Sequence, residues 1–261
     1  MAIILTNDDG IGHEGLARIH EAVQSFGDIQ VYAPHTERSA TSHALTIRDY
    51  FNVRRVEFDH GTPAYAVEGT PVDCAKLAIS LFGDAPPRLI LSGINRGANM
   101  GLDMLYSGTV AAALEGAIAG IPAAAFSLCA REACRFDTAA GVAKAVTRML
   151  LANGLPAHVA LNVNIPNLPF DELQGMKITK LGRSGYREVY RKKTEDGVDS
   201  YMTEGVLDMR DETNDFDAVA VGEGYVSITP VSFDMTAHGS IGRMRETWAS
   251  GKPEGWGVET P

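Results

Sequence analysis

The chain has 261 residues, 45% apolar and 21% charged, enough to bury a full core as one large domain or one domain with an appendage. Its net charge of -10 excludes nucleic-acid or anionic-membrane binding driven by bulk charge, so an anionic substrate needs a local source of positive potential. No signal-peptide pattern and no apolar run of roughly 18 residues is present, and Cys74, Cys129 and Cys134 lack even pairing or metal-ligand spacing; the expectation is a cytoplasmic protein with reduced thiols.

Residues 2–5 read as a buried strand, and the two carboxylates of Asp8 and Asp9 follow its end. Adjacent carboxylates repel each other, a cost that a cation between them offsets. Leu16, Ile19, Ala22 and Val23 share one helical face, and residues 29–33 form a second strand ended by Pro34. A polar loop follows from Ala33 to Ala44. Thr70-Pro71 reads as a helix N-cap with proline at the first helical position, leading into residues 74–82. Further strands are expected over 89–91, 123–127 and 158–163, with helices over 110–120 and 137–152. This βαβα alternation predicts an α/β fold with a Rossmann-like, mostly parallel sheet covered by helices on both faces.

Two segments place polar residues at expected strand ends. Gly93, Gly97 and Gly101 in the stretch from Leu91 to Asp103 free the backbone for unusual turns, but they match neither the dinucleotide fingerprint nor the P-loop. Ser107-Gly108-Thr109 opens a small-residue helix, whose free N–H groups and two hydroxyls suit a phosphate; capping by Ser107 or Thr109 is the simpler alternative.

Past residue 175 the pattern changes. Residues 177–181 and 186–190 alternate like half-exposed strands, Asp196-Gly197 marks a turn, and 200–202 returns antiparallel. The arm over 183–215 has too little core to stand alone, so Tyr186, Val189, Tyr190, Tyr201 and Met202 are expected to pack on the body or another subunit. A terminal helix is expected over 240–249. The division is thus an α/β catalytic core over 1–175 and, over 176–261, an extension in which a β-hairpin arm precedes a strand and helix returning to the core.

Several blocks together resemble the SurE family of metal-dependent 5'/3'-nucleotidases. They are Thr6-Asn7-Asp8-Asp9-Gly10, Arg38-Ser39, Gly69-Thr70-Pro71-Val72-Asp73, Ser92-Gly93-Ile94-Asn95, and Tyr106-Ser107-Gly108-Thr109-Val110. Gly97, Asn99, Gly101 and Asp103 fit as well, as do Glu223 to Pro230 and Asp234 to His238. Ala40 stands where that family has glycine, Arg96 replaces a small residue, and the arm matches poorly.

By position the resemblance implies Asp8, Asp9, Ser39 and Asn95 as metal ligands. This all-oxygen set suits one Mg2+ or Mn2+ rather than zinc. Such a cation polarises a phosphoryl group and acidifies a water. Asp8 or Asp9 orients that water or attacks directly, Ser107, Gly108 and Thr109 hold phosphate oxygens, and Asn99 adds a catalytic donor. Arg38 and Arg96 are further candidates for assistance. His13, His35 and His43 read as surface or hydrogen-bonded side chains, Cys74 as a packed helix residue, and His238 as the partner of Asp234 near a subunit contact.

The implied reaction is hydrolysis of nucleoside 5'- and 3'-monophosphates, with short polyphosphate a further candidate substrate, by a homodimer or homotetramer with a swapped C-terminal region. The alternatives are a non-catalytic nucleotide-binding module or a Rossmann-type dinucleotide enzyme, the latter disfavoured by acidic residues where a pyrophosphate must sit. A haloacid-dehalogenase-type phosphatase needs Asp-x-Asp, and this chain has Asp8-Asp9.

Overall fold

The structure, a computed structural model, describes residues 2–249. A nine-stranded sheet forms its centre. Strand β1 (Ala2–Thr6) is flanked by β2 (Asp28–Pro34) and β5 (Leu89–Arg96), both parallel to it. Outward from β2 come β4 (Ala64–Val67) and the edge strand β3 (Val53–Val56); outward from β5 come β6 (Ala123–Leu128), β7 (Ala160–Ile165), β11 (Val226–Val231) and β8 (Met176–Ile178). Six contiguous strands, from β4 to β7, run parallel, while β3 and β11 each lie antiparallel to the parallel block.

Buried on both faces, β1 carries apolar residues at consecutive positions rather than alternating ones. Ile3 and Leu5 join one core with Leu16, Ile19 and Val23 of α1 (Glu14–Val23) and Val142, Val146 and Leu150 of α4 (Phe136–Asn153). Ile4 points the other way, to Cys74 and Ala78 of α2 (Pro71–Phe82) and Val110 and Ala113 of α3 (Gly108–Ile118). The expected layering of helices on both faces is therefore present. Helix α2 starts as expected: Thr70 Oγ1 accepts from the Asp73 N–H at 3.1 Å, and Asp73 Oδ2 accepts from the Thr70 N–H at 2.8 Å. Cys74 packs in the core as expected, its thiol pushed well above the usual range by burial.

Some elements differ from expectation. Strands β3 and β4 fall where none was predicted, because each has four residues and Val-Arg-Arg-Val at the exposed edge carries no apolar alternation. The strands of the arm are longer than predicted. Its strands β9 (Gly185–Glu195) and β10 (Val198–Asp208) have 11 residues each, joined through Asp196 (φ 50°) and Gly197 (φ 77°), the two left-handed positions that a tight hairpin turn requires. The side chain of Tyr186 lies outside the described ones. Before β11, the short helix α5 (Asp217–Gly222) packs against that strand; α6 (His238–Ala249) is the last described element.

Helix α1 sits close on β5 at one point. A Cβ on Gly15 would overlap the Ile94 carbonyl oxygen, which is backbone and cannot swing away. Gly15→Ala is therefore expected to cost about 2–3 kcal/mol, as overpacking does, and to lower the melting temperature by roughly 4–12 °C. A thermal melt within 2 °C of wild type would contradict this packing.

Candidate active site

Strand order reverses around β1: the chain goes to β2 on one side and later to β5 on the other. Crevices at the carboxyl ends of strands at such a switch are where α/β sheets hold ligands. Asp8 and Asp9 follow β1 there, and Asn95 and Arg96 end β5. A cleft of about 970 Å³ opens at this point, lined by Asp8, Asp9, Ser39, Asn95, Asn99 and Ser107, among others. Six of the eight residues predicted for the site thus meet in one cleft.

Asp8 is 5% exposed. Burial pushes its carboxyl up to about 6; hydrogen bonding by Thr109 opposes the shift, and the charge of Asp9 adds to it. Both of its oxygens are engaged, Oδ1 by the Thr109 hydroxyl at 2.5 Å and Oδ2 by the Thr109 N–H at 3.2 Å. Thr109 therefore turns both donors toward Asp8, not toward a phosphate at the cleft, and it is best described as the residue that positions Asp8. The Asp8 carbonyl also accepts the Arg38 N–H at 2.7 Å, which ties the loop after β2 to the acidic pair.

Asp9 accepts the Arg96 N–H on Oδ2 at 3.0 Å, and burial raises its carboxyl against that bond. His13 Nδ1 is 3.4 Å from the same oxygen. It also caps α1 by accepting the Gly15 N–H at 3.2 Å, so this nitrogen is committed to the helix start. The geometry makes His13 a helix cap.

The two neutral candidates have defined polarity. Asn95 Nδ2 donates to the Gly97 carbonyl at 2.8 Å, which leaves the side-chain carbonyl as the end to meet a cation. The Ser39 hydroxyl donates to Glu37 at 2.6 Å, and its oxygen can still offer a lone pair. Among the described residues no group of three or more His, Cys, Asp or Glu side chains could hold a metal. A cation here would rely on two carboxylates and two neutral oxygens. That set fits a hard ion, and two adjacent carboxylates whose burial penalises their charge are groups that a divalent cation would relieve.

Asn99, 8% exposed, is held from several sides. Its N–H donates to Asn164 Oδ1 at 2.9 Å, its carbonyl accepts from Asn162 at 2.7 Å and Asn164 at 3.1 Å, and its side-chain amide donates to Ser127 at 2.7 Å. Ser107 is the N-cap of α3, its Oγ accepting the Val110 N–H at 3.1 Å. Gly108 begins the helix behind it.

His43 and His238 are each paired with a carboxylate. His43 pairs with Glu115 at 2.7 Å, which Lys76 also reaches at 3.0 Å; burial disfavours this carboxylate's charge, yet the two hydrogen bonds hold it below the usual range. His238 contacts Asp234 at 2.6 Å, as expected for a local pair. The cleft also includes Arg131 and Glu132 in the loop after β6, and Thr203 and Gly205 on β10. Sequence reading missed them. Arg131 and Glu132 follow a parallel strand's carboxyl end, a position that marks them in hindsight; nothing local marks Thr203 and Gly205.

Relatives match this chain over nearly their whole length. A protein named 5'-nucleotidase SurE from Heliobacterium modesticaldum is 40% identical over 256 residues, covering 96% of this chain and 93% of its own. One of the same name from Gloeobacter violaceus is 42% identical, covering 93% and 94%. The crystal structure of the SurE protein from Aquifex aeolicus superposes with a TM-score of 0.83 at 35% identity, covering 95% of this chain and all of that one. With a family model described as Survival protein SurE matching residues 3–188 as well, the chain belongs to the SurE family.

Proposed function

We propose that the protein is a metal-dependent nucleotidase that hydrolyses nucleoside 5'- and 3'-monophosphates to nucleoside and phosphate. The observation that carries this reading is the meeting of Asp8, Asp9, Asn95 and Ser39 at the sheet's switch point, beside the N-terminus of α3. Relatives named 5'-nucleotidase support the substrate class. A dinucleotide would meet carboxylates where its pyrophosphate needs N–H donors, which argues against that alternative.

Asp8, Asp9, Asn95 and Ser39 would hold Mg2+ or Mn2+, which supplies positive charge to phosphoryl oxygens and acidifies water. The Ser107 hydroxyl and the Gly108 N–H at the start of α3 bind the phosphate, and Asn99 orients it through its second amide hydrogen. Asp8 has both oxygens on Thr109 and Asp9 has Oδ2 on Arg96, so Asp9 Oδ1 is the atom we assign to orient the attacking water and take its proton. In-line attack on phosphorus then breaks the ester bond, and the leaving oxygen takes a proton from solvent water as the nucleoside departs.

The test is phosphate release from adenosine 5'- and 3'-monophosphate, short polyphosphate and p-nitrophenyl phosphate, with and without chelator. Activity restored by Mg2+ or Mn2+ is expected. Full turnover by protein shown metal-free by elemental analysis would overturn the reading, and nucleotide binding without phosphate release would favour a non-catalytic module.

The site of action we propose is the cytoplasm, and the assembly a homodimer or homotetramer. No described helix is long and apolar enough to cross a membrane. Val189, Tyr190, Tyr201 and Met202 on the arm stay exposed in the single chain, and a two-stranded ribbon is marginal in water without a partner surface. Replacing residues 186–202 by a short Gly-Ser linker is expected to shift the protein toward monomer. Light scattering over a concentration series checks this: a monomeric full-length protein at micromolar concentration removes the proposal, and an unshifted variant moves the contact elsewhere.

A further inference from the structure

The arm reaches the cleft from within its own chain. Thr203 and Gly205 line it together with Asp8 and Asp9. Two residues apart on β10, they share one face of the strand, while Glu204 between them turns away to pair with Arg191 of β9 at 2.7 Å. The cleft volume of about 970 Å³ lies near the top of the roughly 300–1,000 Å³ range of ligand sites, so a phosphate at the acidic end leaves most of it for the rest of the substrate.

The root of the arm is locked to the loop that carries Asn99. Asp217, wholly buried, accepts the Gly101 N–H at 2.7 Å and the Gly182 N–H at 3.1 Å. Asp211 accepts the Arg183 and Ser184 N–H groups, each at 2.8 Å, and the Ser184 hydroxyl at 2.6 Å. The Ser184 carbonyl in turn accepts the Leu102 N–H at 3.3 Å and sits where a Cβ on Gly101 (φ +50°) would have to be. An element held by this many backbone bonds keeps a fixed place beside the cleft, unlike a free hairpin.

We propose that β10 is a specificity wall of the cleft, with Thr203 and Gly205 bordering the space that takes the nucleoside of the substrate. The proposal rests on the nucleotidase reading for its ligand class, and it makes the arm a selector of the leaving group as well as a candidate for assembly. Phosphate and acidic pair are common to all phosphomonoesters; the wall acts only on what lies beyond the ester oxygen.

Thr203 is exposed, so a larger side chain there needs no repacking of the core. Thr203→Trp is expected to lower the ratio of kcat/KM for adenosine 5'-monophosphate over p-nitrophenyl phosphate by about tenfold, mainly through KM, while Thr203→Ser keeps the ratio within about twofold. Circular dichroism melting confirms that the variants fold, and Thr203→Arg serves if the tryptophan variant does not. Calorimetric binding of adenosine, which has no phosphate, is a readout independent of turnover: binding by wild type that weakens in Thr203→Trp supports the wall. An unchanged ratio, a parallel loss on both substrates, or adenosine affinity that is absent in wild type or the same in both overturns it. Absence of turnover in wild type sinks the nucleotidase reading alone, since the adenosine measurement still decides the arm's role.

Discussion

Replacing Asp8 or Asp9 by asparagine is expected to lower nucleotide hydrolysis by roughly 10³-fold or more, the rate equivalent of the several kcal/mol that a cation supplies to a phosphoryl transition state. The loss should come from chemistry and not from unfolding. An asparagine at position 8 can accept the Thr109 N–H with its carbonyl and donate its amide to the Thr109 hydroxyl, which rotates to accept. At position 9 its carbonyl can keep the Arg96 N–H. Metal affinity, measured by calorimetry with Mn2+, should fall in both variants, because an amide brings no charge to a hard cation. A folded Asp8→Asn or Asp9→Asn protein with more than a tenth of wild-type turnover would remove the acidic pair from the mechanism. Thr109→Val probes the same pair more gently. It deletes the 2.5 Å hydrogen bond, leaves the N–H contact, and is expected to cost about 10–100-fold, as loss of an outer partner of a metal ligand does.

The parts of the site that sequence made legible are those where a local pattern and a local role coincide. Residues 2–5 are an uninterrupted apolar run, so the position of Asp8 and Asp9 at a strand end follows from chain order. Thr70-Pro71 announces α2 because capping needs only residues three apart. The role of Thr109 was illegible for the opposite reason: its partner Asp8 lies 101 residues away, and a Ser-Gly-Thr helix start reads equally as a phosphate cradle or a cap. Asn99 is fixed by Asn162 and Asn164, two inward positions of β7, and no spacing rule joins a glycine-rich loop to a strand more than 60 residues later. The same holds for Thr203 and Gly205, which reach the cleft on an arm whose root is fastened by buried Asp217 and by Asp211.

Gly108→Val is expected to lower kcat/KM by about 10²-fold, the scale of an ångström-sized misplacement at a reacting centre. A Cβ at this position would stand 3.0 Å from Pro71 Cγ, 3.1 Å from Asp8 Cβ and 3.2 Å from Thr41 Oγ1. Those atoms belong to the start of α2, the acidic pair and the loop that carries Ser39, so a branched side chain pushes apart three pieces that must converge. Overpacking also costs stability, about 1–3 kcal/mol. If the start of α3 binds phosphate, inhibition by inorganic phosphate weakens together with turnover, because the helix N-terminus is moved from its place. Ser107→Ala provides the contrast: it removes the acceptor of the Val110 N–H and costs about 1 kcal/mol of stability, and it deletes the hydroxyl assigned to the phosphate while leaving the glycine contacts whole, so phosphate inhibition should weaken without the displacement of the acidic pair that Gly108→Val brings. A folded Gly108→Val protein with wild-type phosphate inhibition would reduce Ser107-Gly108 to a helix cap and move the phosphate site to another part of the cleft, with the side chains of Arg96 and Arg131 as the next cations to test.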